Sequence, residues 1–431
     1  MRSLAARSLG AALRLAAALG ALAGAAPARA AIEEYENWSV SAYELDDENG
    51  LDDLLRGFTP WEDWQWRASL NGARVGMGCA TTQTWEVDLD AKLEQWLSRR
   101  VSVGYRHLQQ EELGESVNLD EFRLAYRAPA GWWGGGTYRP SFDKQLHDAG
   151  LFAGWYGDSA HWARAYLGFE DALNNFWEGR TEYIEDKERR TYETNPRELE
   201  LTALWREGDR WGAAARLAGV PTYARHLTPA PSDSALPSRL TLAGWYAGAD
   251  LFAAAGRGWT LGLRARWKGC DRTDELDEGA GPDGGFAAYD VGRLRDAQVR
   301  PWGAKALGAR WALRIQGLAR WSSETHDTPL GHHSLATRHL GGQATAVWEA
   351  WPFLSAEAGL AADWVDVEQD GPPELDVFTH GTRRESRAVF TLDLHWRGAH
   401  LVLIESLEGD DEGYQTVGFH DKGFAHLTIQ F

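Results

Sequence analysis

The chain is poor in cysteine, in lysine and in long apolar runs. Its 431 residues include only two cysteines, Cys79 and Cys270, which are too few for a disulfide framework and lack the spacing of a metal site. Six of its 44 basic residues are lysine. Beyond residue 30 no run of about 18 apolar residues occurs, so no helix of the mature chain is expected to span a bilayer.

The first thirty residues are typical of a secretory signal peptide. Arg2 and Arg7 precede an Ala/Leu-rich core, and residues 28–30 (ARA) form a small-x-small cleavage pattern. Cleavage removes four arginines and no carboxylate, which takes the formal net charge from -19 to -23. So acidic an exported chain is not expected to bind nucleic acid. Two classes remain, a soluble exported protein and a transmembrane barrel whose half-polar strands escape a hydropathy scan.

Alternation of apolar and polar residues is the main pattern of the chain. In LGARWALRIQGLARW (307–321), one set of alternate residues carries no charge and the other carries three arginines. Four further stretches alternate in the same way, at 85–93, 199–205, 259–267 and 388–396. A soluble antiparallel sandwich also alternates, so alternation alone does not separate the two classes.

The positions of tryptophan separate them. Trp259 and Trp267 are eight residues apart, Trp311 and Trp321 are ten apart, and Trp396 ends another apolar face. At about 3.3 Å per residue and a tilt near 40°, these spacings span roughly 20 and 25 Å along a barrel axis. This matches a lipid-facing band with an aromatic girdle at each edge, so we predict that these five residues form girdles.

Connection lengths and the C-terminus indicate the same architecture. Counted back from the C-terminus, eleven successive connections alternate long and tight, among them the long 322–335, 270–290 and 367–384. The final residues, GFAHLTIQF, alternate and stop at Phe431. These features resemble bacterial outer-membrane β-barrels of the porin-like class, whose last strand commonly ends in Phe as a signal for the barrel-assembly machinery. The resemblance extends to no particular subfamily. It implies a Gram-negative outer membrane and contact with its lipid.

The predicted fold is all-β, an antiparallel up-and-down transmembrane barrel. Seventeen strands are predicted between about residue 84 and residue 431, and the two ends of such barrels lie on the periplasmic side, so the number should be even. The missing strand is assigned to WQWRASL (64–70) or WSVSAYEL (38–45), giving 18 strands, with 16 as the alternative. The expected organisation is a signal peptide at 1–30, a periplasmic segment with the first strand at 31–80 and the barrel at 81–431. A short helix is expected at 51–58.

Charged residues on the non-lipid faces are expected to line the lumen, because charge at mid-bilayer depth is costly. The predicted basic lining residues are Arg264, Arg266, Lys268, Arg310, Arg314 and Arg320. The predicted acidic lining residues are Glu86, Asp88, Asp90 and Glu94. The two sets lie about half the barrel apart, an arrangement that resembles the constriction of general porins and would place a field across the pore. The alternative is that these charges pair with neighbouring strands.

The expected function is an outer-membrane channel for small polar solutes, with a preference for anions suggested by the excess of arginine. The alternative is a structural or export barrel that encloses or binds a partner protein or an acidic polysaccharide. No cofactor, metal or catalytic residue is assigned. By analogy with porin-like barrels, the chain could form a homotrimer.

Three weaker signals point to other chemistry. Asp158, Ser159 and His161 resemble a hydrolase pair but lie in a predicted periplasmic turn, the wrong end for such a site. His326, His332, His333 and His339 crowd a predicted outer loop without ordered ligand spacing. Cys79 and Cys270 lie at the same end of the barrel, yet strand order separates them, so a disulfide is left open.

Overall fold

The computed structural model describes residues 69–81, 84–112, 115–140, 147–169, 189–193, 196–228, 236–277, 286–329, 331–371, 380–396, 399–408 and 422–429. The predicted signal peptide, the predicted helix at 51–58, the stretch 38–45 and Phe431 lie outside these ranges. Of the stretch 64–70 only Ser69 and Leu70 are described, and neither belongs to a strand.

The described residues form β-strands and one short 3-10 turn at Pro129–Gly131. The strands are β1 (Gly72–Thr81), β2 (Thr84–Trp96), β3 (Val101–Glu112), β4 (Glu115–Arg127), β5 (Trp132–Pro140), β6 (His147–Asp158), β7 (His161–Phe169), β8 (Arg189–Tyr192), β9 (Arg197–Glu207), β10 (Trp211–Thr228), β11 (Ser238–Gly256), β12 (Trp259–Asp277), β13 (Phe286–Ala306), β14 (Trp311–Thr328), β15 (Gly331–Trp351), β16 (Leu354–Asp370), β17 (His380–Trp396), β18 (Ala399–Glu408) and β19 (Lys422–Ile429). Within the described ranges, no helix is long and apolar enough to cross a membrane.

The sheet closes on itself. Successive wall strands pair antiparallel, and β1 pairs with β19 over Ala73–Cys79. The first strand is therefore Gly72–Thr81, later in the chain than either predicted candidate. Its inward face is almost all glycine, with Gly72, Gly76 and Gly78 beside a single arginine, so it shows little alternation in the sequence.

The wall has 18 strands, as predicted, because β8 is a continuation of β9. Both pair with β10, β9 up to Leu199↔Gly219 and β8 from Tyr192↔Arg225. Between those pairs lies Pro221, which has no N–H to donate, and the register of β10 against β11 shifts by one residue there. The bulge separates one long strand into two segments.

The short connections whose residues are all described lie at one end of the barrel, the end that holds both barrel termini. They are 97–100, 128–131, 159–160, 208–210, 257–258, 307–310 and 352–353. The two-residue turn between β11 and β12 places Gly256, Arg257 and Gly258 at positive φ, which two glycines adopt at no steric cost. Short turns mark the periplasmic end of such barrels, as predicted.

The opposite end differs from the prediction. The connection predicted at 322–335 is largely strand, because β14 and β15 pair as far as Thr328↔Gly331. Strands β12 and β13 likewise pair as far as Asp277↔Phe286. At 19 residues, β12 extends about 60 Å, well over the length needed to cross the apolar band. The long loops expected here are in large part hairpins that continue beyond the membrane.

The outward face carries a broad band of large apolar side chains. Leu263, Ile315, Leu360 and Phe390 are among those that remain exposed in the isolated chain. Leaving such side chains in water would forgo roughly 1.5–3 kcal/mol each. A closed barrel satisfies every backbone hydrogen bond of its wall internally, which is the condition for crossing lipid with strands. The chain is therefore a bacterial outer-membrane β-barrel.

Tryptophans lie on the outward face at both edges of the band. Trp267, Trp311, Trp321 and Trp396 are exposed there, and Trp259 occupies the same face of β12, half-buried. Trp311 is the register partner of Trp348, and the two rings stack with centroids 6.2 Å apart. At the other edge Trp245 and Trp267 are 3.9 Å apart. Tryptophans therefore lie on the outward face at both edges of the apolar surface.

Candidate functional site: the charged lumen

The residues predicted to form the basic lining lie mostly on the inward face. Arg264, Arg266 and Lys268 alternate along β12 with exposed outward leucine and tryptophan, so they face the lumen. Arg314 and Arg320 do the same on β14. Arg310 does not belong to this group. It is exposed in the periplasmic turn 307–310, because β14 begins only at Trp311.

The predicted acidic lining belongs to β2, and its described side chains are paired locally. Asp90 accepts two hydrogen bonds from Arg106 of β3, at 2.8 and 2.9 Å. Glu94 accepts a hydrogen bond from Ser102 at 2.7 Å and is bound by Arg123 of β4. Glu86 and Asp88 are opposite Gly78 and Gly76 in the register, and their side chains lie outside the described part of the chain.

The basic residues are paired in the same local way. Arg264 donates to Asp250 on β11 at 2.7 Å. Asp296 of β13 accepts two hydrogen bonds from Arg320, at 3.0 and 3.2 Å, and lies 3.8 Å from the ammonium of Lys268. Each part of the wall thus carries both signs of charge. The predicted division of the lumen into one acidic and one basic wall is not what these residues form.

The same pairing continues around the wall. Glu200 on β9 accepts hydrogen bonds from Arg164 at 2.7 Å and from Arg216 at 3.1 Å. Arg139 bridges Glu121, at 2.8 Å, and Glu198, at 3.5 Å. Charge-assisted hydrogen bonds of this kind hold the acidic side chains in place. Sequence reasoning missed these residues because their pairing depends on strand register.

Within several of these pairs the cation reaches further into the lumen than its carboxylate. Arg314 is 33% exposed and its partner Glu357 8%, at a contact distance of 2.7 Å. Lys268 is 36% exposed and Asp296 10%. Arg106 with Asp90 and Arg164 with Glu200 show the same order. Arginine and lysine are longer than aspartate and glutamate, and in these four pairs the carboxylate is the more covered partner and the cation the more exposed one.

Histidines predicted to crowd an outer loop do not converge. His326 lies between Asp290, at 2.7 Å, and Glu324, at 2.6 Å. His332 contacts Asp327, and the buried His339 contacts Asp363. His326 and His333 are register partners on one face of the sheet, whereas His332 lies on the other face, so the four histidines do not gather at one point.

Another group of potential ligands was missed by sequence reasoning. Asp393, His395 and His400 converge at the periplasmic end of the lumen. The sequence did contain a signal for this group, the pattern Asp393-x-His395 followed a few residues later by His400. Alternate residues of one strand share a face, and a residue paired with one of them on the next strand shares that face too.

Cys270 is a free, buried thiol. It faces inward among Val220, Tyr223, Leu240 and Leu294, so the disulfide with Cys79 that the sequence left open does not form. This apolar cluster lies on the inward face of β10–β13, next to the bulge at Pro221.

The chain is similar to solved outer-membrane proteins at low sequence identity. They include the ferric-catecholate import receptor Fiu of E. coli K12 (8% identity, 84% of this chain and 81% of that chain, TM-score 0.33). Others are OmpT of Vibrio cholerae (9%, 83% and 94%, 0.29) and the toluene transporter TodX of Pseudomonas putida (9%, 86% and 92%, 0.27). No family model and no curated protein matches the chain. The assignment of the fold rests on the closed strand pairing described above and not on these similarities, whose TM-scores are low.

Proposed function

We propose that this barrel is a channel through which small polar solutes cross the outer membrane, with a preference for anions. The observation that supports the preference is the unequal depth of the lumen ion pairs. The carboxylates of Glu357 and Asp296 lie against the wall, while Arg314 and Lys268 extend past them. An anion in the lumen would meet guanidinium and ammonium groups first.

The pairing also limits how strong that preference can be. The carboxylate of Glu357, 2.7 Å from Arg314, has the opposite charge and cancels much of the field of Arg314 at a distance. Salt screens the remaining field over about 8–10 Å. We therefore expect a moderate anion preference. A permanent field across the whole pore would require the two-wall arrangement that these residues do not form.

The test is recording of the full chain in planar lipid bilayers under a salt gradient. Wild type should show conductance steps and a reversal potential shifted toward the anion potential. Arg314→Gln leaves Glu357 unpaired and should move the reversal potential toward cations, whereas Glu357→Gln should move it further toward anions. Arg338→Gln is the matched control, since Arg338 is exposed on the outward face of the neighbouring strand and should leave the potential unchanged.

Two results would contradict the proposal. If Arg314→Gln and Glu357→Gln both kept the reversal potential of wild type, the Arg314–Glu357 pair would not line the conducting path. A correctly folded protein without any conductance would favour the alternative, a barrel that binds or exports a partner.

A further inference from the structure

Three side chains with metal-binding groups meet at the periplasmic end of the lumen. Asp393 and His395 are alternate inward residues of β17, and His400 on β18 is the register partner of His395 across the connection at 397–398. The Nε2 atoms of His395 and His400 lie 2.9 and 2.8 Å from the same oxygen, Oδ1 of Asp393. The imidazole rings stack with centroids 3.9 Å apart and planes 10° from parallel.

These distances are close to those within a metal coordination shell. Imidazole nitrogen and carboxylate oxygen bind first-row divalent ions at about 2.0–2.2 Å, so two such donors on one ion lie roughly 3.0–3.5 Å apart. One ligand atom from each of the three residues falls within 4.8 Å of the others. Shifts of a few tenths of an ångström would bring all three onto one ion.

The backbone holds the group in position and leaves it accessible. His395 and His400 are fixed by the β17–β18 ladder, and the amide of His395 donates to the carbonyl of Phe353 at 2.9 Å. His400 is mostly covered, whereas His395 is 54% exposed. An ion arriving from the periplasm would therefore meet one exposed ligand, His395, and two more covered ones.

We infer that Asp393, His395 and His400 bind a divalent first-row transition-metal ion such as Zn²⁺. Two imidazoles and one carboxylate are the donor types these ions prefer, and three protein ligands leave the remaining positions for water. The inference revises the expectation, drawn from the sequence, that no metal ligands are present. It is independent of the proposed channel activity.

Calorimetric titration of the full chain in detergent with Zn²⁺ tests the site. Wild type should bind one equivalent of Zn²⁺. His400→Gln and Asp393→Asn should each lower the affinity for Zn²⁺ by more than about tenfold, since even residues that only support metal ligands contribute 10–100-fold to metal affinity. His332→Gln is the matched control because His332 also pairs with an aspartate, at 2.7 Å, and is 55% exposed. It should leave the affinity unchanged.

Electron paramagnetic resonance of the Cu²⁺-loaded protein gives a second readout. Coupling to two nitrogens is expected in wild type and to one in His395→Gln or His400→Gln. Circular dichroism should show the same β signal for all variants, so that lost binding is not lost folding. Absence of Zn²⁺ binding by wild type, or binding that the Asp393, His395 and His400 substitutions leave unchanged, would overturn the inference.

Discussion

Substitution of Leu360 by arginine should strongly destabilise the barrel in lipid. Leu360 is 70% exposed on the outward face of β16, with Ala344 and Ala388 as its register partners. Trp364 lies four residues further along the same face, about 10 Å along the barrel axis, which places Leu360 near the middle of a band of about 25 Å. Arginine at that depth costs about 2–4 kcal/mol, or about 30-fold to about 900-fold in the folding equilibrium.

The assay is urea unfolding of the chain in lipid vesicles, followed by gel mobility and tryptophan fluorescence. Leu360→Ala separates loss of the leucine from addition of the charge. Ala336→Arg places the same charge on the outward face two residues beyond Arg338, the partner of Trp321, where the cost should fall to about 0–1 kcal/mol. Equal destabilisation by Leu360→Arg and Ala336→Arg would refute the assignment of the apolar band.

Three further predictions concern the wall and its outer contacts. Hydrogen bonds from Arg239 and, to a smaller extent, His226 lower the pKa of Glu193. The ion pairs of Glu193 with these two residues are therefore present above the ordinary glutamate pKa and are lost as pH falls through the lowered pKa. Protection of the Glu193 amide from hydrogen exchange should fall in that pH range in wild type, but not in Glu193→Gln. Gly135→Ala should lower stability by about 1–3 kcal/mol because the added Cβ would meet the Leu124 carbonyl, whereas Gly381→Ala, with open space around it, should not; chemical denaturation compares them. In a Cys79→Ala background, Cys270 should react with maleimide only after unfolding, since the thiol is buried; rapid labelling of the folded barrel would contradict its placement.

The architecture was predictable wherever one face of a strand touches lipid. Between Trp311 and Trp321 the outward residues carry no charge and the inward ones include Arg314, Gln316 and Arg320, so both the strand and its face follow from the sequence. Beyond Trp321 both faces are polar, with Ser323 and Thr325 outward and Glu324 inward, and the alternation disappears. These strand ends looked like loops because water, unlike lipid, does not require an apolar face.

The pairing of the lumen charges could not be predicted in the same way. Alternation places Arg106 and Asp90 on inward faces, yet their contact depends on β2 and β3 being in the register that pairs Lys92 with Arg106. A shift of two residues would keep every side chain on its face and exchange all partners. The Asp393, His395 and His400 group is an exception, because only two residues connect its two strands and they pair from Trp396↔Ala399 onward.

The seam between β1 and β19 has a mechanical consequence. These strands pair over Ala73–Cys79, whereas β12 and β13 pair over Trp259–Asp277. Resistance to lateral separation grows with the number of ladder hydrogen bonds that must break together, so the closing seam is weaker than the wall between β12 and β13. Under membrane tension or during thermal breathing, the barrel should part more readily where the two ends of its sheet meet than between β12 and β13.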